Sequence, residues 1–124
     1  MSKNSPTILF TQDVNEYADA LLKQSDESAA YSITRTSDSS DLLALMQANE
    51  YGLVVVGSSH SLISDLSLLK HIGDKQHLTE VIVISDRADV NNAVRLMKAG
   101  AFDVLVPPVE PHRLVQSADD ALAQ

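Results

Sequence analysis

The side chains that could do chemistry in this sequence gather at the ends of apolar runs. Ser58, Ser59 and His60 follow Leu53-Val-Val-Val-Gly57, and Ser85 and Asp86 follow Glu80-Val-Ile-Val-Ile. Gln12 and Asp13 follow Thr7-Ile-Leu-Phe-Thr11. A Ser or His nucleophile needs a base and a group that orients the base. No such partner is identifiable for Ser58, Ser59 or His60, so His60 reads as an exposed loop histidine. Asp13 suits the cap of a first helix, and Asp86 the start of a later one. Ser85 reads equally well as a strand-end hydroxyl bonded locally. His60, His71, His77 and His112 lack metal-ligand spacing. There is no Gly-rich loop after the first apolar run and no Gly-x-Ser-x-Gly elbow, so neither a nucleotide-binding loop nor a serine-hydrolase site is supported.

These residues need a scaffold, and composition bounds it. A chain of 124 residues builds one domain with a real core. Hydrophobic residues make up 44% and charged residues 21%, the proportions of a globular protein. The formal net charge of −8 argues against a nucleic-acid surface on this domain, since phosphate contacts need clustered Lys and Arg. No cysteine is present, which excludes disulfides and thiolate metal sites. No apolar run approaches the roughly 20 residues that span a bilayer. The first six residues are polar and are expected to be loose, and cytoplasm is the expected compartment.

The central element is the run Leu53 to Val56, bounded by Gly52 and by Gly57, Ser58 and Ser59. Four consecutive apolar residues, three of them β-branched, predict a strand buried on both faces of a parallel sheet. Further strands are expected over 7–11, 31–36, 80–85 and 103–106, with the second an outer one. Helices are expected between them. The first carries Tyr17, Ala18, Leu21 and Leu22, and the second Leu42, Leu43, Leu45 and Met46. The third carries Leu66, Leu68, Leu69 and Ile72. The fourth has an apolar stripe of Val90, Ala93, Val94 and Met97, with Lys98 in its last turn and Gly100 as its stop. Pro107 and Pro108 end the last strand, and Pro111 opens the last helix. Leu114, Val115, Ala118, Ala121 and Leu122 line that helix's inner face. Strict alternation predicts an α/β domain with helices on both sheet faces. In such a sheet the working site lies beyond the carboxyl ends of the strands. Gly57 stands there without a side chain.

The block over 81–108 resembles the second half of a response-regulator receiver domain, most specifically in Met97-Lys-Ala-Gly-Ala-Phe-Asp103. Element order extends the resemblance from Ile8 to Leu122. It implies a flavodoxin-like, CheY-like fold: a doubly wound five-stranded parallel sheet in the order 2-1-3-4-5 with five helices. It further implies that residues 7–124 are the N-terminal part of a larger regulator.

Receivers transfer a phosphoryl group to an aspartate after the third strand. An acidic pair and Mg²⁺, a hydroxyl and a lysine offset the developing charge. Carried over by position, the phosphoacceptor falls on Gly57 and the acidic pair on Gln12 and Asp13. The hydroxyl falls on Ser85, the lysine on Pro107 and the aromatic switch residue on Val104. Pro108 matches a family proline whose preceding bond is usually cis. The resemblance therefore implies a degenerate receiver with no catalytic residue and no cofactor. Its remnant pocket is Gln12, Asp13, Gly57, Ser58, Ser85 and Pro107, with Asp13 at most a weak metal remnant.

Function is then expected from protein interaction. The family's fourth-helix, fifth-strand and fifth-helix face would draw on Asn91, Asn92, Arg95, Val104, Pro107, His112, Arg113 and Gln116. It would hold an output domain, bind a partner or form a homodimer, without direct contact to nucleic acid or membrane. The alternative is a small-ligand sensor in the hollow around Gly57. A flavodoxin-like enzyme is disfavoured, because no nucleophile–base pair is visible.

Overall fold

A computed structural model describes residues 7–11, 14, 16–19, 32–36, 44–45, 51–57, 79–85 and 90–123. The strands are β1 (Thr7–Phe10), β2 (Ser32–Arg35), β3 (Leu53–Gly57), β4 (Glu80–Ile84) and β5 (Asp103–Leu105). All pair in parallel, in the order β2-β1-β3-β4-β5. This is the expected sheet. The helices described in full are α1 (Val90–Ala99) and α2 (Pro111–Leu122), the fourth and fifth expected from the sequence. Residues 16–19 and 44–45 are helical where the first two helices were expected. The expected third helix lies outside the described residues.

The strands are short and apolar because the sheet is covered on both faces. All five residues of β3 are buried. Side chains alternate across a strand, so one run feeds two cores. Leu53 and Val55 join Ile8, Phe10, Ile82, Ile84 and Leu105 in a cluster closed by Leu114, Ala118 and Ala121 of α2. Val54 and Val56 join Leu9, Val81 and Val83 in a second cluster, closed by Leu96 of α1 and Ala101. Each large aliphatic side chain so buried contributes about 1.5–3 kcal/mol relative to exposure.

α2 begins where its proline requires it. Pro111 takes the first turn, after Glu110 in extended backbone, and the Glu110 carbonyl accepts from the Arg113 and Leu114 amides at 3.0 and 3.1 Å. Its expected inner residues are buried or half-buried, and Ser117 is buried beside them. The far end of α2 approaches the turn before β3 closely. A Cβ at Gly52 would lie 2.8 Å from Leu122 Cδ2, so glycine suits that turn. α1 stops at Gly100, whose φ of 124° belongs to the region glycine tolerates best.

One expectation is overturned in α1. The stripe Val90, Ala93, Val94 and Met97 does not face the core. Val90, Val94 and Met97 are 76%, 44% and 46% exposed, and Ala93 is half-buried. The helix turns Asn92 and Leu96 to the sheet instead. On that side Leu96 fills the second core cluster with Ala99 against it, and the buried Asn92 finds a partner in Ser85. Strand bounds also differ by a residue or two: Thr11, Thr36 and Ser85 lie just past β1, β2 and β4, and Gly57 lies inside β3.

Candidate functional site

The carboxyl edge of the sheet is stitched by backbone and hydroxyl groups. Gly57 is the last residue of β3 and registers with Ile84 of β4. Its amide donates to Thr11 Oγ1 at 3.3 Å in a buried position. The Thr11 amide donates to the Val55 carbonyl at 3.1 Å, which ties the end of β1 to β3. Nothing in the sequence pattern singled out Thr11, because a strand-end threonine looks the same whether or not it accepts from a neighbouring strand.

Ser85 is fully buried just past β4. Its amide donates to the Leu105 carbonyl at 2.8 Å. Its hydroxyl accepts from Asn92 Nδ2 at 3.4 Å, and Asn92 Oδ1 accepts from Arg95 Nη2 at 3.0 Å. A buried amide is tolerated only when bonded, and these contacts supply the bonds. Ser85 is therefore joined to the surface of α1 through Asn92. This corrects the expectation that Asn92 belongs to an exposed interaction face. Pro107 follows β5, half-buried, and the Pro107–Pro108 bond is cis.

Of the remnant-pocket residues, Gly57 ends β3, Ser85 lies just past the adjacent β4 and Pro107 follows β5. Gln12, Asp13 and Ser58 lie outside the described residues, as do Asp86 and His60. The family's Mg²⁺ would need carboxylate oxygens at positions 12, 13 and 57, which hold Gln, Asp and Gly. At position 57 only backbone is present, and its amide is engaged with Thr11. The donor set does not fit a hard divalent cation. Among the described residues, no three His, Asp or Glu side chains converge on one point.

The outer face of α1, β5 and α2 is built differently. Asn91, Arg95, His112, Arg113 and Gln116 are exposed as expected, and Val104 is half-buried against the second core cluster. Asp103 anchors the face: its carboxylate accepts from the Val104 amide at 2.9 Å, Ser117 Oγ at 2.8 Å and Arg113 Nη2 at 3.2 Å. The pair with Arg113 leaves both groups partly in water, where solvent screens it. A groove of about 380 Å³ runs beside this anchor. Val104, Val106, Pro108 and Val109 form its apolar walls, and Glu110, His112 and Arg113 its polar rim. It forms where the cis-proline turn meets the start of α2, so no local pattern announces it. Among the described residues, no helix is long and apolar enough to cross a membrane.

A five-stranded parallel sheet in the order β2-β1-β3-β4-β5, covered by helices on both faces, is a CheY-like flavodoxin fold. The sequence matches the response regulator receiver domain family over residues 8–119, and the chain belongs to that family. It is 29% identical over 98 residues to the transcriptional regulatory protein FixJ of Bradyrhizobium diazoefficiens, covering 79% of this chain and 48% of the relative. It is 25% identical over 114 residues to the C4-dicarboxylate transport transcriptional regulatory protein DctD of Rhizobium meliloti, covering 92% and 25%. The chain thus spans half or less of the length of these curated relatives. Among solved structures, a response regulator from Thermotoga maritima superposes with a TM-score of 0.83 at 19% identity, covering 98% of this chain and all of that one. The beryllofluoride-activated NtrC4 receiver domain dimer superposes with a TM-score of 0.80 at 17% identity, covering 94% and 96%. At such identities these two likenesses speak for the fold alone.

Proposed function

We propose that this chain is a receiver that works without aspartyl phosphorylation. It acts as a non-enzymatic regulatory module, binding a protein partner or output domain through the face of α1, β5 and α2. Homodimerisation would use the same face, and the setting is transcription regulation in the cytoplasm. The observation that carries the reading is Gly57 at the end of β3, with its amide bonded to Thr11. An acyl phosphate needs a carboxylate there, and glycine has none. The resemblance also puts Pro107 where the phosphoryl group would meet its counter-charge, and proline offers neither charge nor donor. These losses agree with one another. Without a covalent switch, the conformational equilibrium is set by differential binding of partners. The curated relatives FixJ and DctD are transcriptional regulatory proteins, which supports a regulatory setting for this chain.

The test is incubation with Mg²⁺ and acetyl phosphate, followed by intact-mass measurement. The native chain and Gly57→Asp are both expected to remain unmodified, because restoring one carboxylate leaves Gln12 and Pro107 in place. Stoichiometric phosphorylation of the native chain would refute the reading, and that of Gly57→Asp would refute only the corollary that one carboxylate cannot restore the reaction.

A further inference from the structure

The groove at the start of α2 carries charges that the helix itself does not use. Glu110 precedes the first turn, near free amides that attract a carboxylate, yet its side chain makes no capping bond. That carboxylate is 73% exposed and lies 3.4 Å from His112 Nδ1. Arg113 stands in the first turn, where the helix dipole favours anions and no acidic residue is present. It gives one N–H to Asp103 at 3.2 Å, and a guanidinium has five. Neither charge is placed where α2 alone would gain most from it.

Both charges rim the same hollow of about 380 Å³, whose apolar walls are Val104, Val106, Pro108 and Val109. Val106 is 43% exposed, so it stands outside the core. The Arg113 amide donates to the Glu110 carbonyl at 3.0 Å, and one closed turn thus holds the two residues together. The volume is that of a small-molecule site, and such sites pair apolar walls with a few polar groups. An anion and a cation side by side above an aliphatic floor suit a ligand with both charges close together and one apolar branch. An α-amino acid has this build: ammonium and carboxylate share one carbon, and the side chain leaves from it. A phosphate group would be repelled by Glu110, and a polyamine by Arg113.

We propose that this groove binds a free α-amino acid with a branched aliphatic side chain. Glu110 takes its ammonium, Arg113 its carboxylate, and Val104, Val106, Pro108 and Val109 its side chain. The site needs no phosphoryl group and none of the residues around Gly57, so it goes beyond the function proposed above.

The experiment titrates the full chain with L-leucine and follows amide resonances, with no phosphodonor present. The Val106, Val109, Glu110 and Arg113 amides are expected to shift together and saturate. Three partial ligands divide the site: isocaproate lacks the ammonium, isoamylamine the carboxylate and glycine the side chain. Each is expected to bind about tenfold or more weakly than leucine, for the loss of one charge-assisted bond or one buried side chain. Glu110→Gln should weaken leucine by about tenfold and should not weaken isocaproate. Val106→Asp should abolish saturation by leucine while leaving the urea midpoint nearly unchanged, since Val106 lies at the surface. Absence of a saturable shift with leucine, equal affinity for the partial ligands, or indifference to either variant would overturn the proposal. So would concentration-dependent shifts of the same amides without ligand, since a second copy would then fill the groove. Phosphorylation of the native chain by acetyl phosphate would leave this site standing, and failure of leucine to bind would leave the phosphorylation-independent reading standing.

Discussion

At the carboxyl end of β3, the Gly57 amide and the Thr11 hydroxyl bond to each other inside the protein. On the outer face of α1, two valines and a methionine stand in water. One region turns polar groups inward, at the position the resemblance gives to the phosphoacceptor. The other turns apolar groups outward, where the domain's own stability would bury them. Exposed apolar area brings a folded chain no stability, while a bonded buried amide brings only a modest net gain. The contrast is what the proposed function, partner binding without phosphorylation, rests on.

Neighbouring residues of α1 give the sharpest way to break that contrast. Leu96 is 1% exposed and Met97 is 46% exposed. Leu96→Ala should cost about 2–5 kcal/mol in urea unfolding, through lost burial and the cavity left behind. Met97→Ala should change stability by less than about 0.5 kcal/mol. Equal costs would mean that α1 sits in solution with its stripe turned inward. A smaller effect is expected at the anchor of the same face. Asp103→Asn removes the charge that holds Arg113 and weakens the acceptor for Ser117. Part of that pair is screened by solvent, so the loss should be about 0.5–1.5 kcal/mol, read as a lower urea midpoint. An unchanged midpoint would show that α2 is held by its apolar side alone.

The smallest effect concerns Tyr17, which packs on the first core cluster. Burial, and then the charge of Glu16, hold its phenol above the ordinary 10.0. A raised folded-state value means that Tyr17 supports stability fully below pH 10.0, and that this support is lost as pH rises through the folded value. Tyr17→Phe should remove that part of the alkaline loss, as followed by phenolate absorbance and urea midpoints. Identical alkaline profiles for the two proteins would count against the burial of this ring.

The sheet was legible in the sequence because its runs are continuous and bounded by turn residues, as in Leu53 to Gly57. The stop at Gly100 and the start at Pro111 were legible for the same local reason. The buried face of α1 was misread because periodicity ranks stripes by apolarity. It cannot register that Asn92 finds Ser85, seven positions back and in another element. The bond from Gly57 to Thr11 and the groove beside Val106 and Val109 are likewise products of strand register and chain crossing. The end of β3 at Gly57 was readable from the turn residues around it, and the structure adds what its amide does.

The most direct test of the central claim is an amide NMR titration with Mg²⁺ and then with beryllofluoride as a phosphoryl mimic. The account predicts no saturable movement of the Thr11, Gly57 and Ser85 amides. Coordinated, saturating shifts of all three would contradict it, since some acidic site at the end of β3 would then still bind a phosphoryl group.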